Sequence, residues 1–418
     1  MRARTMIRAI ALNHPGAKRR FTPMVATINL VFSRLAPLLA AGVLQTWPAF
    51  AAEEKSSEKS AAYFKTEKIS HIEISIAPAP GGVKALAPLM KEPRKYVKAT
   101  VTEGDTVYQD VAVHLRGGLG SFRALHDKAG FTFNMNKFAT NSSFHGMDKW
   151  HLANSAQDGS YLSELVCNEM LRAAGLPAPR VTHATVSING QMRGFYVVKE
   201  GYDKHFLKQN FKTADGNFYD GGFLRDVDQN LQLVRTRKDV KDWADLKALV
   251  AAAREPDPAK RFARLEKLLD MDMFISGFCI QAILGDWDGY VFNRNNYRVY
   301  HDPDRDKVII LPSGLDQEFG NADQGPLVPP MKGMIAIAVF NTPEGKARYL
   351  KRMAEINQTI MDPVKWNKRL DELQARLQPE IAKVDAKAGA NYPNEVKRIR
   401  DFFNIRGKSI ERQLKAVK

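Results

Sequence analysis

The segment GDWDGYVFNRNNY, residues 285–297, crowds polar side chains against aromatic ones and includes Asp288 and Asn293, five residues apart. A carboxylate can accept the proton of an attacking hydroxyl, and a carboxamide oxygen is a hard ligand for a divalent ion. Catalytic loops for phosphoryl transfer use that pair at this spacing. A second carboxylate, Asp316, ends a strand in LPSGLDQEFG, residues 311–320. Helix capping and turn bonding would account for Asp286, Asp288 or Asn293 taken singly. The order helix, loop, hairpin, aspartate favours a joint role: Asp288 orients a hydroxyl while Asn293 and Asp316 hold Mg2+ or Mn2+.

A triphosphate would need a cradle, and VHLRGGLGSFR, residues 113–123, is a strand running into a glycine-rich turn. Gly117, Gly118 and Gly120 let backbone N–H groups approach phosphate oxygens, and Arg116 and Arg123 add positive charge. The turn is neither a Walker A loop nor a clean GxGxxG, so a plain tight hairpin reads equally well. Lys128 opens the next strand, within reach of the α- and β-phosphates. On a helix over 160–174, Leu162, Leu165, Val166, Met170 and Ala173 form one face, with Glu169 in its middle and Glu164 opposite. A carboxylate on a buried stripe needs a cation or a raised pKa; Lys128 is the candidate partner of Glu169, and the equal alternative is that Glu169 snorkels to the lobe edge.

Alternating segments at 71–76, 96–101, 111–115, 131–135, 182–188 and 194–198 predict strands. Asn189-Gly190 makes a hairpin of the last two, and turns fall at 81–82 and 103–105. From about residue 201 the pattern turns helical: 242–254, 258–268, 271–284, 344–361 and 364–386. One hairpin, 296–300 with 308–311, interrupts it. The expectation is an α+β chain of two lobes. An antiparallel-sheet N-lobe with one helix spans 68–200, a mainly helical C-lobe spans 201–418, and a cleft lies between them.

The 418 residues are 44% hydrophobic and 26% charged, which excludes a disordered or fibrous chain. Residues 1–51 hold seven basic and no acidic side chains, leaving 55 basic against 46 acidic for the rest. That spread excess suits an anionic ligand and does not point to nucleic acid. The apolar run 35–44 followed by Ala49-Phe50-Ala51 reads as a signal peptide over 1–51, cleaved and so leaving no membrane insertion, with an uncleaved anchor as the alternative. The expected location is periplasmic or extracellular. Residues 52–67, rich in Ala, Glu, Lys and Ser, read as a mobile linker. Cys167 and Cys279 lie in apolar helical patterns and read as buried free thiols, with a disulfide left open. The run at 302–306 lacks the glycine and terminal glutamate of a calcium loop and reads as a hairpin turn.

Taken together, these segments resemble the CotH kinase family, the spore-coat-protein-H-like atypical kinases. The likeness runs over about residues 68–416. It is carried by HLRGGLGSFRALHDKAGFTFNMNKF, FHGMDKWHLANSAQDGSYLSELVCNEMLRAAGLPAPR, VSINGQMRGFYVVKEGYDKHFL, GNFYDGG, GDWDGYVFNRNNYRVYHD and LPSGLDQEFG. The resemblance implies a divergent protein-kinase-like fold that binds ATP and Mg2+ and phosphorylates protein Ser or Thr. It implies Asp288 as the catalytic residue, Asp316 as the strand-end metal ligand and Arg116 to Gly120 as the phosphate-side loop. Lys128 is implied as the lysine preceding the next strand, and Glu200 as the acidic residue where the lobes meet, against the adenine. Ser313-Gly314 stands where many members carry Trp-Asp, one carboxylate fewer, so the number of metals stays open. The rival readings are a catalytically silent exported relative that binds an envelope partner, and a nucleotide-dependent transferase or hydrolase using the same carboxylates. The sequence names neither the acceptor nor the oligomeric state.

Overall fold

Period-two burial shapes the first half of the chain. In Lys149–Ala153, Trp150 and Leu152 are buried while the alternate residues are only partly so. The computed structural model describes residues 56–78, 94–235 and 242–417. Seven strands form the first half: β1 (Ser70–Ser75), β2 (Val97–Glu103), β3 (Thr106–Arg116), β4 (Gly130–Asn134), β5 (Lys149–Ala153), β6 (Val181–Ile188) and β7 (Gln191–Glu200). They close into a barrel in the order β1-β2-β3-β4-β5-β7-β6. Every pairing is antiparallel except β1 with β6, which is parallel and closes the ring. Closure leaves no strand edge exposed. The mixed α+β class is as expected; the antiparallel sheet is so only in part, because β1 pairs in parallel with β6 and closes the sheet into a barrel. The interior is aromatic and aliphatic: Trp150 stacks on Phe133 at 3.9 Å between ring centroids, and on Phe144 at 4.2 Å.

A helix, α1 (residues 56–65), occupies most of the segment whose composition suggested a mobile linker. Its Ser60 is fully buried; the hydroxyl meets His205 Nε2 at 3.1 Å and accepts from Arg180 Nη2 at 3.0 Å. The predicted signal peptide and the turn at 81–82 fall outside the described residues. Helix α2 (Ser163–Ala173) separates β5 from β6 and packs against both β6 and a central helix of the second half.

After α3 (Lys204–Asn210) come β8 (Phe218–Asp220) and β9 (Gln232–Arg235), then α4 (Ala244–Ala253), α5 (Pro258–Leu268), α6 (Met271–Leu284) and the single turn α7 (Tyr290–Asn293). The hairpin of β10 (Tyr297–Asp302) and β11 (Lys307–Pro312) joins them in a four-stranded sheet, β11-β10-β8-β9. Helices α8 (Met334–Phe340), α9 (Pro343–Thr359), α10 (Pro363–Val384) and α11 (Ala386–Val417) complete the chain. Helix α6 is apolar on every side and correspondingly central. Its last carbonyls are met from α11: the buried Arg406 guanidinium donates to Ala282 O and Ile283 O, both at 2.9 Å, and to Gly325 O at 2.6 Å. Cys167 and Cys279 are buried and free, as read from their apolar surroundings.

Candidate active site

The loop carrying Asp288 begins where α6 must stop. Gly285 takes φ +73°, a left-handed turn that favours glycine, and Asp286 N closes it onto Gln281 O at 2.9 Å. Asp288 then accepts three amide donors: Asn293 Nδ2 at 3.2 Å and Asn295 and Asn296 Nδ2, each at 3.0 Å. Both of its oxygens are engaged, which fixes the plane of the carboxylate. Asn293 sits on α7, and its Oδ1 accepts the Lys332 ammonium at 3.0 Å.

The β10–β11 hairpin brings Asp316 back beside this loop. Ser313 N donates to Asn296 O at 2.8 Å, and Gly314 passes so close that a Cβ there would come within 2.8 Å of the Asn296 side chain. Burial and the nearby charge of Glu164 push the Asp316 carboxyl up to about 6, while Arg116 and Lys199 pull it down. Among the described residues Asp316 accepts no hydrogen bond. Alongside, burial raises both the Asp286 and Glu318 carboxyls, and the charge of Asp286 raises Glu318 further. Both shifts favour the protonated form of the pair.

The opposite wall is the outer face of the barrel. Register aligns Thr132 with His151 and His151 with Lys199, so alternation turns all three away from the aromatic interior and toward one cavity. Lys199 Nζ donates to both oxygens of Glu164 on α2, at 2.9 and 2.7 Å, and the two side chains are 4% exposed. Thr132 Oγ1 meets His151 Nδ1 at 3.0 Å. Burial, then Arg116, Lys199 and Arg298, hold this imidazole well below its ordinary range, hence neutral. Arg116 ends β3 with Nη1 buried and without a partner among the described residues. Beyond it the glycine turn is tightly set. Gly117, at φ +109°, has no room for a Cβ, which would lie 2.9 Å from the Phe122 backbone. Asn154 Nδ2 staples both ends of the loop, donating to Ser121 O and Lys128 O at 2.9 Å.

A cavity of about 750 Å³ runs between these walls, within the range of small-ligand sites. It is lined by seven of the residues singled out from sequence: Arg116, Gly117, Gly118, Gly120, Asp288, Asn293 and Asp316. Three others lie elsewhere. Lys128 Nζ donates to Tyr161 OH at 2.8 Å over that ring, and burial lowers its ammonium to about 8. It does not meet Glu169, which instead takes Arg369 of α10 at 2.7 Å. Glu200 is bound by Arg180 at 2.5 and 3.0 Å. Adjacent residues of a strand face opposite ways, so with Lys199 turned to the cavity Glu200 cannot be. The residues that sequence reasoning missed are Glu164, Lys199, His151 and the amides Asn295 and Asn296. The NRNN run was the available signal for the amides.

The donor set suits a divalent cation and a polyanion. Among the described residues a half-buried carboxylate without a hydrogen bond, Asp316, and a buried guanidinium nitrogen without one, on Arg116, line the same space. Asn293 fits less simply, since Lys332 already holds the oxygen a metal would take. A family model described as CotH kinase protein matches residues 113–410. Among curated proteins the chain is similar to Invasin CotH3 of Rhizopus delemar, 37% identical over 59 residues. That stretch is 14% of this chain and only 10% of the relative's length.

Proposed function

The chain belongs to the CotH kinase protein family, and from that premise and the cleft we propose that it transfers the γ-phosphoryl group of ATP to a protein Ser or Thr hydroxyl. The observation that carries the reading is the meeting of three groups on one cavity: the amide-caged Asp288, the unpartnered Asp316 and the unpartnered Arg116 nitrogen. Asp316 would hold Mg2+ or Mn2+, which when bound neutralises charge building on the phosphates. Arg116 and the backbone of Gly117 to Gly120 would take the phosphate oxygens. Lys199, fixed by Glu164, would add a positive charge on the barrel side, where the expectation had placed Lys128. Asp288, held in plane by its three amides, would orient the acceptor hydroxyl for in-line attack. The barrel with α2 and the helical half would then act as the two lobes of a divergent kinase. Export through residues 1–51 would place the reaction in the periplasm or outside the cell.

The test is nucleotide binding followed by transfer. Mg-ATP should raise the melting temperature by mass action, and γ-labelled ATP should leave label on protein. Asp288→Ala should retain the thermal shift while slowing transfer by roughly 10²–10⁴-fold. A chain that binds no nucleotide, or one whose Asp288→Ala variant transfers at full rate, would refute the assignment.

A further inference from the structure

Exposed apolar side chains are ordinary when scattered and informative when gathered. Four of the twelve large ones exposed among the described residues line the same cleft: Leu119, Phe223, Leu224 and Trp287, at 81, 64, 38 and 53% exposure. They come from three segments: the glycine turn, the β8–β9 connection and the loop of Asp288. The connection is held rather than loose. Gly221 lies so close to the Tyr297 ring that a Cβ would come within 2.4 Å, and Gly222 N donates to Asp220 Oδ1 at 2.9 Å. Leu224 keeps φ +54°, a costly backbone conformation for a leucine. Such strain persists only where surrounding contacts impose it.

Trp287 is the chain neighbour of Asp288, so a group resting on this rim lies within a residue or two of the hydroxyl that Asp288 would orient. Four carboxylates line the cavity, and two of them have a role in the phosphotransfer reading: Asp288 holds three amides and Asp316 is assigned to the cation. Asp220 takes Arg298 at 2.8 Å and Glu164 takes Lys199 at 2.7 Å. The other polar neighbours include the neutral amides Gln157 and Gln317. A rim of this kind gives a basic acceptor no carboxylate to pair with and gives an apolar one four side chains to cover. A lipid surface is ordinarily met by an open apolar face flanked with Lys and Arg; arginines line this cleft too, but its apolar groups converge on a cavity instead of a flat face.

We propose that the acceptor is a polypeptide whose target hydroxyl is flanked by bulky apolar side chains, received by Leu119, Phe223, Leu224 and Trp287. This rests on the phosphotransfer reading of the same cleft. The experiment uses the protein with Mg2+, γ-labelled ATP and three serine peptides. They are identical except for Leu and Phe, Arg, or Glu on either side of the serine. The apolar peptide should have the highest kcat/KM, by about tenfold. Phe223→Ser should raise its KM about tenfold with kcat within about twofold, and Phe223→Leu should restore it. Equal transfer to all three peptides by a chain that binds Mg-ATP overturns the inference alone. So does preference for the Arg or Glu peptide, or label entering only phosphatidylglycerol vesicles. A chain that shows no Mg-ATP thermal shift overturns the phosphotransfer reading and this inference with it.

Discussion

Helix α2 carries two glutamates with opposite fates. Glu164 is buried against Lys199 and faces the cleft, whereas Glu169, half a turn farther round, meets Arg369 of α10 near the surface. The first pair is 4% exposed on each side; the second is 27 and 37%. Two ion pairs on one helix therefore differ in what they can do. The exposed one is solvated and adds little. The buried one sits where each charge depends on the other, and where an anionic ligand would feel the lysine at low dielectric.

That contrast can be broken most sharply on the buried side. Glu164→Gln or Lys199→Met should cost roughly 3–5 kcal/mol in urea unfolding, because one charge is left buried alone. Either should also remove the Mg-ATP thermal shift. Replacing both residues with apolar ones should recover much of the stability and none of the nucleotide binding, which separates structural from functional dependence. The next effect is one of pH. Asp286 and Glu318 are raised by burial above their unfolded values, so the stability that goes with their protonated form is full at low pH and lost as pH rises. Glu318→Gln supplies an amide N–H in place of that proton. Its melting temperature should gain on the wild type between about pH 5 and about pH 8. Glu169→Gln should cost at most about 1 kcal/mol and leave Mg-ATP binding intact. The smallest effect is expected at Lys128→Met, which should bind Mg-ATP as the wild type does. If Lys128→Met loses the thermal shift and Lys199→Met keeps it, the assignment of the two lysines is reversed.

The same helix shows why part of the site was legible and part was not. Asp288, Asn293 and Asp316 declared themselves by spacing along one continuous loop and hairpin, where sequence neighbours are spatial neighbours. The glycine turn did so by composition. The lysine–glutamate pair depends on two elements meeting across the fold. A single apolar stripe on α2 suggested one buried face with Glu169 at its centre. The helix is instead buried on two sides, and Ser163, Glu164 and Asn168 are covered along with Leu165 and Val166. An apolar stripe locates the face that meets the core and is silent about a second face that meets a strand. Strand β5 escaped for a related reason, being five residues long and buried only at Trp150 and Leu152. Most helices of the second half were legible from periodicity, since each follows clear stop signals. Barrel closure was not, because it depends on a parallel pairing between strands more than a hundred residues apart.

Arg406 ties the last helix to the middle of the chain. The carbonyls it satisfies belong to Ala282 and Ile283, immediately before the turn that presents Asp288. A polypeptide still emerging from the ribosome has made its loop long before it has made the guanidinium that ties the loop's base. If the cleft transfers phosphate as proposed, competence would arrive with the final helix, and a chain cut short of it would be expected to carry every proposed reacting group and do no work.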